Sequence, residues 1–179
     1  MRYFRKMTGE RLYLSPVNED DAGIYARWMN DEAVAVNFGQ YPYTVSSKNE
    51  LKWLFELDEG IQRYAIVLLD GDVMIGVVSL QNIDHRNRNA FIGIFIGEAE
   101  HRNRGYGAEA VRLILNYGFN THNLNNIMLS VHADNRAAIA CYKKAGFKEA
   151  GRRSEWVFKD GRYIDKIYME MLEREFNKR

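Results

Sequence analysis

The chain has 179 residues, 46% of them hydrophobic, which is material for one sizeable core and leaves little for a second domain. Its 25 basic and 24 acidic side chains nearly cancel, so no global field selects nucleic acid or an anionic membrane as partner. The single cysteine, Cys141, excludes an intramolecular disulfide framework, and no apolar run approaches the ~18 residues that a membrane span needs.

Met1-Arg2-Tyr3-Phe4-Arg5-Lys6 is charged and lacks the apolar stretch of a signal peptide, so a cytoplasmic location is expected. Residues 11–16 alternate and read as a first strand. Residues 20–29 carry Ala22, Tyr25, Ala26 and Met29 on one face and read as a helix. A loop is expected over 31–44, where Gly39 and Pro42 fall, then a helix over 46–59 with Leu51, Leu54 and Phe55 as its stripe. Strands follow at 64–69 and 73–80, joined by the turn Asp70-Gly71-Asp72. After the polar segment 82–89 comes a strand at 90–96; a helix, a strand at 127–132 and a helix near Tyr142 lead to a hairpin. That hairpin pairs 155–158 with 163–171 and turns at Asp160-Gly161. Cys141, on the last helix, is expected to be buried and inert.

The most telling stretch is His101-Arg102-Asn103-Arg104-Gly105-Tyr106-Gly107-Ala108-Glu109-Ala110. It follows the strand at 90–96 and opens a helix whose Val111, Ile114, Leu115, Gly118 and Phe119 form one stripe. Strand, basic glycine-containing turn and helix N-terminus together form an anion site. The first helical N–H groups lack intrahelical partners, the dipole is positive there, and Gly105 and Gly107 let backbone approach an oxygen. Arg102 and Arg104 add charge, so the expected guest is a phosphate or pyrophosphate.

Gly105-x-Gly107-x-x-Ala110 also satisfies the dinucleotide fingerprint, but its context does not. The polar segment 98–104 separates strand from glycine, and the acid expected roughly 20 residues on is replaced by Asn125-Asn126-Ile127-Met128-Leu129. No Gly-Lys-Ser/Thr follows, which excludes a P-loop. His101, His122 and His132 have no metal-site spacing, and no metal is expected.

Downstream, Asn135-Arg136-Ala137-Ala138-Ile139-Ala140-Cys141-Tyr142-Lys143-Lys144-Ala145-Gly146-Phe147 reads as an N-cap, three helical turns and a glycine stop. Arg-x-x-Gly-x-Gly followed by Asn-x-x-Ala-x-x-x-Tyr-x-x-x-Gly-Phe resembles the GCN5-related N-acetyltransferases (GNAT). The tail Gly151-Arg152-x-x-Glu155-x-x-Phe158-x-Asp160-Gly161-x-Tyr163-x-Asp165 and the opening Glu10-Arg11-Leu12-x-Leu14 resemble one branch of them. That branch holds ribosomal-protein N-terminal acetyltransferases and bacterial spermidine acetyltransferases. The resemblance implies an α/β (α+β) fold, one GNAT domain over 1–179, whose mixed, mostly antiparallel central sheet is flanked by helices.

It also implies acetyl-CoA as co-substrate, its pyrophosphate held by backbone N–H groups of Arg102, Asn103, Arg104, Gly105, Tyr106, Gly107 and Ala108. The strand edge at 93–96, with Phe95 and Ile96, would pair with the pantetheine arm. Asn135, first an N-cap, would also reach the cofactor. Periodicity alone makes Tyr142 a core tyrosine; the resemblance places its hydroxyl beside the sulfur, where a phenol can protonate a leaving thiolate.

Relatives often carry a carboxylate where this chain has Phe91, so the base is sought at Asp84, His85 or Glu155. Trp28 and Asn30, with Phe38, Tyr41 and Tyr43, are candidates to shape the acceptor pocket, and core packing explains them equally well. The expected reaction is direct acetyl transfer to a primary amine, with no membrane, metal or nucleic acid and with homo-oligomerisation left open. Deprotonating an alkyl amine of pKa ~10.4 at pH 7 costs about 4–5 kcal/mol, against roughly 1 kcal/mol for a peptide α-amine near 7.8. Without a strand carboxylate a protein or peptide N-terminus is therefore favoured as acceptor, with a polyamine or other small amine as the alternative. A non-catalytic acyl-CoA sensor is the alternative of another class.

Overall fold

The computed structural model describes residues 2–38, 43–55 and 60–178. Strands β1 (Met7–Thr8), β2 (Leu12–Pro16), β3 (Gln62–Leu68), β4 (Met74–Asp84) and β5 (Asn89–Ile96) form a continuous antiparallel run. Then β6 (Asn126–His132) joins parallel to β5, and the hairpin β7 (Lys148–Lys159) and β8 (Arg162–Leu172) completes one sheet ordered β1-β2-β3-β4-β5-β6-β8-β7.

Each face of the sheet buries a separate core. On one side α4 (Tyr106–Asn120) presses Ala110, Val111, Ile114, Leu115 and Phe119 onto Leu80, Ala90, Ile92, Ile127, Leu129 and Val131. Ile114 and Leu115 are fully buried, each contributing about 1.5–3 kcal/mol of transfer free energy. Tyr142 of α5 (Arg136–Ala145) packs against the same cluster. On the other side α1 (Ala22–Met29) sets Tyr25, Trp28 and Met29 against Tyr13, Ala65, Val67 and Val77, with Val34 of α2 (Glu32–Phe38) alongside.

Three elements depart from the sequence reading. The expected loop over 31–44 contains α2, because the Asp31 carboxylate caps it by accepting from the Ala33 N–H at 3.0 Å, and Val34 and Ala35 are buried. β4 runs on through Asp84, beyond the expected end at 80, with a register shift between Gln81 and Asp84. β7 begins at Lys148, not 155: as an edge strand with mostly exposed side chains it offers no apolar alternation to read. The helix expected over 46–59 is present as α3 (Ser47–Phe55); residues 56–59, like Gly39, Tyr41, Pro42 and the side chains of Phe38, Leu54 and Phe55, lie outside the described residues.

Candidate active site

β5 and β6 touch at only three register positions, Asn89↔Asn126, Ala90↔Ile127 and Phe91↔Met128. Beyond them β5 stays with β4 as far as Gly76↔Ile96, while β6 follows β8 as far as His132↔Lys166. The two strands fork, and a cleft of about 890 Å³ opens between them. No strand lies beside the β6-facing edge of β5 past Phe91.

Alternation along each strand shows that the cleft passes through the sheet. Ile92, Ile94 and Val131 belong to the face under α4 and α5, and they line the cleft with Val111, Ala138 and Tyr142. Phe91, Gly93, Ser130 and His132 alternate to the opposite face, and they line it with Ala33 and Val34 of α2. Two reactants can therefore approach one point from opposite sides.

One mouth of the cleft is the turn before α4. Asn103 and Gly105 both have positive φ, 60° and 85°, and Gly105 is the N-cap. This geometry turns successive backbone N–H groups to one side, and the first N–H groups of α4 have no intrahelical acceptor. Arg102, Asn103, Gly105, Gly107 and Ala108 all line the cleft. The Arg102 guanidinium is committed elsewhere: it donates to the carbonyls of Ile96 at 3.1 Å and Gly97 at 2.6 Å, and pairs with Asp31 at 3.4 Å. Its charge braces the end of β5 instead of standing free for a phosphate.

Arg104 and Tyr106 lie outside the lining. The Arg104 carbonyl accepts from Arg11 at 3.0 Å, and Tyr106 lies under the same guanidinium at 4.7 Å. Arg11 in turn pairs with Glu109, which is buried in the first turn of α4. Burial alone would raise that carboxyl's pKa, but hydrogen bonds from the Arg11 backbone and guanidinium and the Glu10 N–H hold it below the ordinary range. Arg11 and Glu109 were missed as site residues. Their signal was a glutamate inside the apolar first turn of a helix, which asks for a buried partner.

On the other wall, Asn135 caps α5 by accepting from the Ala138 N–H at 3.1 Å, and the helix ends at Gly146 with φ 108°. Tyr142 is half-buried against Phe147, and burial, with a smaller push from Cys141, raises its phenol well above the ordinary value. It is a protonated donor at any physiological pH. Cys141 is half-buried and lines the cleft, contrary to the expectation of a core thiol; burial pushes its pKa up.

The remaining candidates fall away from the cleft. Trp28 is 1% exposed: its ring meets Tyr25 and Phe95 edge-on, and its Nε1–H donates to Glu98 at 3.2 Å. Asn30 spends its amide on the carbonyls of Ala26 and Val45 and accepts from the Val45 N–H, stapling residue 45 to the end of α1. Asp84 accepts from the backbone and side chain of Asn87, which lower its pKa. Exposed His85 stacks near His122, and Glu155 occupies an irregular position of β7 with φ 50°. Phe95 and Ile96 do line the cleft.

A forked sheet with a phosphate-type turn at one end and a buried phenol at the other is matched by the family model for the acetyltransferase (GNAT) domain, over residues 11–148. The chain belongs to the GNAT family. An uncharacterized N-acetyltransferase, p20, of Bacillus licheniformis is 29% identical over 171 residues, covering 93% of this chain and 96% of that one. Spermidine N(1)-acetyltransferase of Escherichia coli K12 is 28% identical over 165 residues, 91% of this chain and 87% of that one. The crystal structure of Vibrio cholerae spermidine N-acetyltransferase in complex with CoA and spermine has a TM-score of 0.84 at 27% identity, covering 93% and 98%. This GNAT chain is an acetyl-CoA-dependent N-acetyltransferase with the mostly antiparallel sheet of its family. Among the described residues no group of three or more His, Cys, Asp or Glu could hold a metal ion, and no helix is long and apolar enough to cross a membrane.

Proposed function

We propose that the chain moves an acetyl group from acetyl-CoA to the primary amine of a small molecule, a polyamine first among them, by direct attack in a ternary complex. The observation that carries this is the cleft through the sheet, with Tyr142 on the α4–α5 side and an open route on the α2 side. Backbone N–H groups of the 102–108 turn hold the pyrophosphate, and the β5 edge at Gly93 and Ile94 pairs with the pantetheine arm as an added strand would. The neutral amine attacks the thioester carbon from the α2 side, the C–N bond forms, the C–S bond breaks, and the Tyr142 proton goes to the departing sulfur. The second nitrogen proton restores the phenol. Holding both partners at attack distance supplies much of the acceleration.

The acceptor class is supported by spermidine acetyltransferases that match nearly the whole chain in sequence and shape. A peptide α-amine is the second reading, favoured by Phe91 standing in the cleft where a carboxylate base would help a more basic amine. The dodecameric structure of a Vibrio cholerae relative supports a homo-oligomer. Acetyl-CoA consumption with a panel of polyamines, amino acids, amino sugars and peptides tests the proposal. A kcat/KM for spermidine or spermine above that for any peptide is expected. Peptides ahead of polyamines would give the second reading the field, and CoA binding with no turnover of any amine would make the chain a sensor.

A further inference from the structure

His132, the last residue of β6, is 7% exposed and lines the cleft on the face opposite Tyr142. Its Nδ1 is sealed from solvent with no hydrogen-bond partner. A buried polar atom left unpaired costs about 1–3 kcal/mol, so a site that retains one has a use for it. On the same sealed corner Asp134 Oδ1 is also without a hydrogen bond, while its Oδ2 takes Lys159 at 2.8 Å. Directly across the ladder stands Lys166 of β8, which lines the cleft too.

We infer that His132 is the general base of the acetyl transfer, taking the place of a strand carboxylate that Phe91 cannot supply. This rests on the acetyltransfer reading above and adds to it the group that receives the proton. With Asp134 on the sealed side, the proton of the neutral ring sits on Nδ1 and the Nε2 lone pair faces the cleft. An acceptor ammonium entering on the α2 side gives one proton to Nε2, which passes it to solvent, and the resulting neutral amine attacks.

The electrostatic surroundings keep the ring ready to accept. Burial lowers the His132 pKa; Asp134 opposes this, and Lys166 from β8 and Lys159 from β7 reinforce it. The imidazole is therefore neutral at pH 7. Neither Asp84, His85 nor Glu155 lines the cleft, so none of the three competes for the role.

The test is the pH profile of the unmodified enzyme with several amines of different pKa, followed by His132→Gln. The expected wild-type kcat/KM rises along a limb below about 6.5, the ordinary histidine value, and the limb stays in place when the acceptor is changed. In His132→Gln, kcat/KM at pH 7 falls by roughly 10²-fold, the limb tracks the pKa of each amine, and affinity for CoA is retained. A wild-type limb that follows the acceptor amine overturns the assignment without any variant, so it stays falsifiable if the substitution unfolds the chain. So does a folded His132→Gln that keeps its activity within threefold. Absence of wild-type turnover with every amine would instead overturn acetyl transfer itself, and His132 with it.

Discussion

Arg11 Nε donates to Glu109 Oε2 across 2.9 Å, tying the residue before β2 to the first turn of α4. The other carboxylate oxygen accepts the N–H groups of Glu10 and Arg11, both at 2.8 Å, and the same guanidinium holds the Arg104 carbonyl. One buried carboxylate thus fixes the turn whose backbone faces the cofactor without lining the cleft.

Glu109→Ala leaves two backbone donors and a guanidinium without their acceptor. Stability should fall by about 2 kcal/mol or more, and CoA should bind several-fold more weakly although no ligand contact is removed. The folded-state pKa of Glu109 is depressed, so its contribution is present above the ordinary carboxylate value of ~4.3 and is lost as pH falls through the folded value. Acid melting of wild type and variant by circular dichroism should converge at the lowest pH; curves that remain parallel would refute the linkage.

Two glycines of the turn separate backbone strain from ligand clash. A Cβ on Gly107 would meet nothing nearer than Ile96 Cγ1 at 4.0 Å, so Gly107→Ala should fold normally and yet bind CoA over tenfold more weakly. That factor corresponds to about 1.4 kcal/mol. Gly105 has φ +85° and a Cβ there would lie 3.3 Å from Arg11, so Gly105→Ala should lower melting temperature and CoA affinity together. Calorimetry with and without CoA distinguishes them; equal affinity for Gly107→Ala and wild type would remove the turn from the cofactor site.

Tyr142→Phe removes only the hydroxyl. If that group protonates the leaving thiolate, kcat should fall by roughly 10²–10⁴-fold while KM for acetyl-CoA changes little. Steady-state kinetics decide, and turnover within threefold of wild type would return Tyr142 to the core.

Gly97 abuts the Trp28 ring so closely that a Cβ would lie 2.0 Å from Cδ2. Gly97→Ala should therefore destabilise by about 1–3 kcal/mol, the usual cost of overpacking. The end of β5 and the Arg102 brace would shift with it, so CoA affinity should drop as well. A variant with an unchanged denaturation midpoint would mean that the helix α1 interface yields more readily than its burial implies.

Much of this architecture is legible locally. The stripe of α4, the Asn135 cap and Gly146 stop of α5, the hairpin turn at Asp160-Gly161 and the αL demand of Gly105 depend on residues a few positions apart. The sequence by itself therefore determined the order of the principal elements, the anion-binding turn and the approximate position of Tyr142. It could not determine what distant strands do to one another. Whether β6 follows β5 or leaves it after Phe91 is a matter of register between strands separated by the whole of α4. That fork makes the cleft and decides that His132 faces it while Asp84, His85 and Glu155 do not. Trp28 and Asn30 look the same in sequence whether they line a pocket or close a core; only the packing of Gly97 beneath the indole and the staple to Val45 decided between the two. Local pattern sets which face a side chain takes along its own element, whereas what it meets there depends on contacts that only the folded chain brings together.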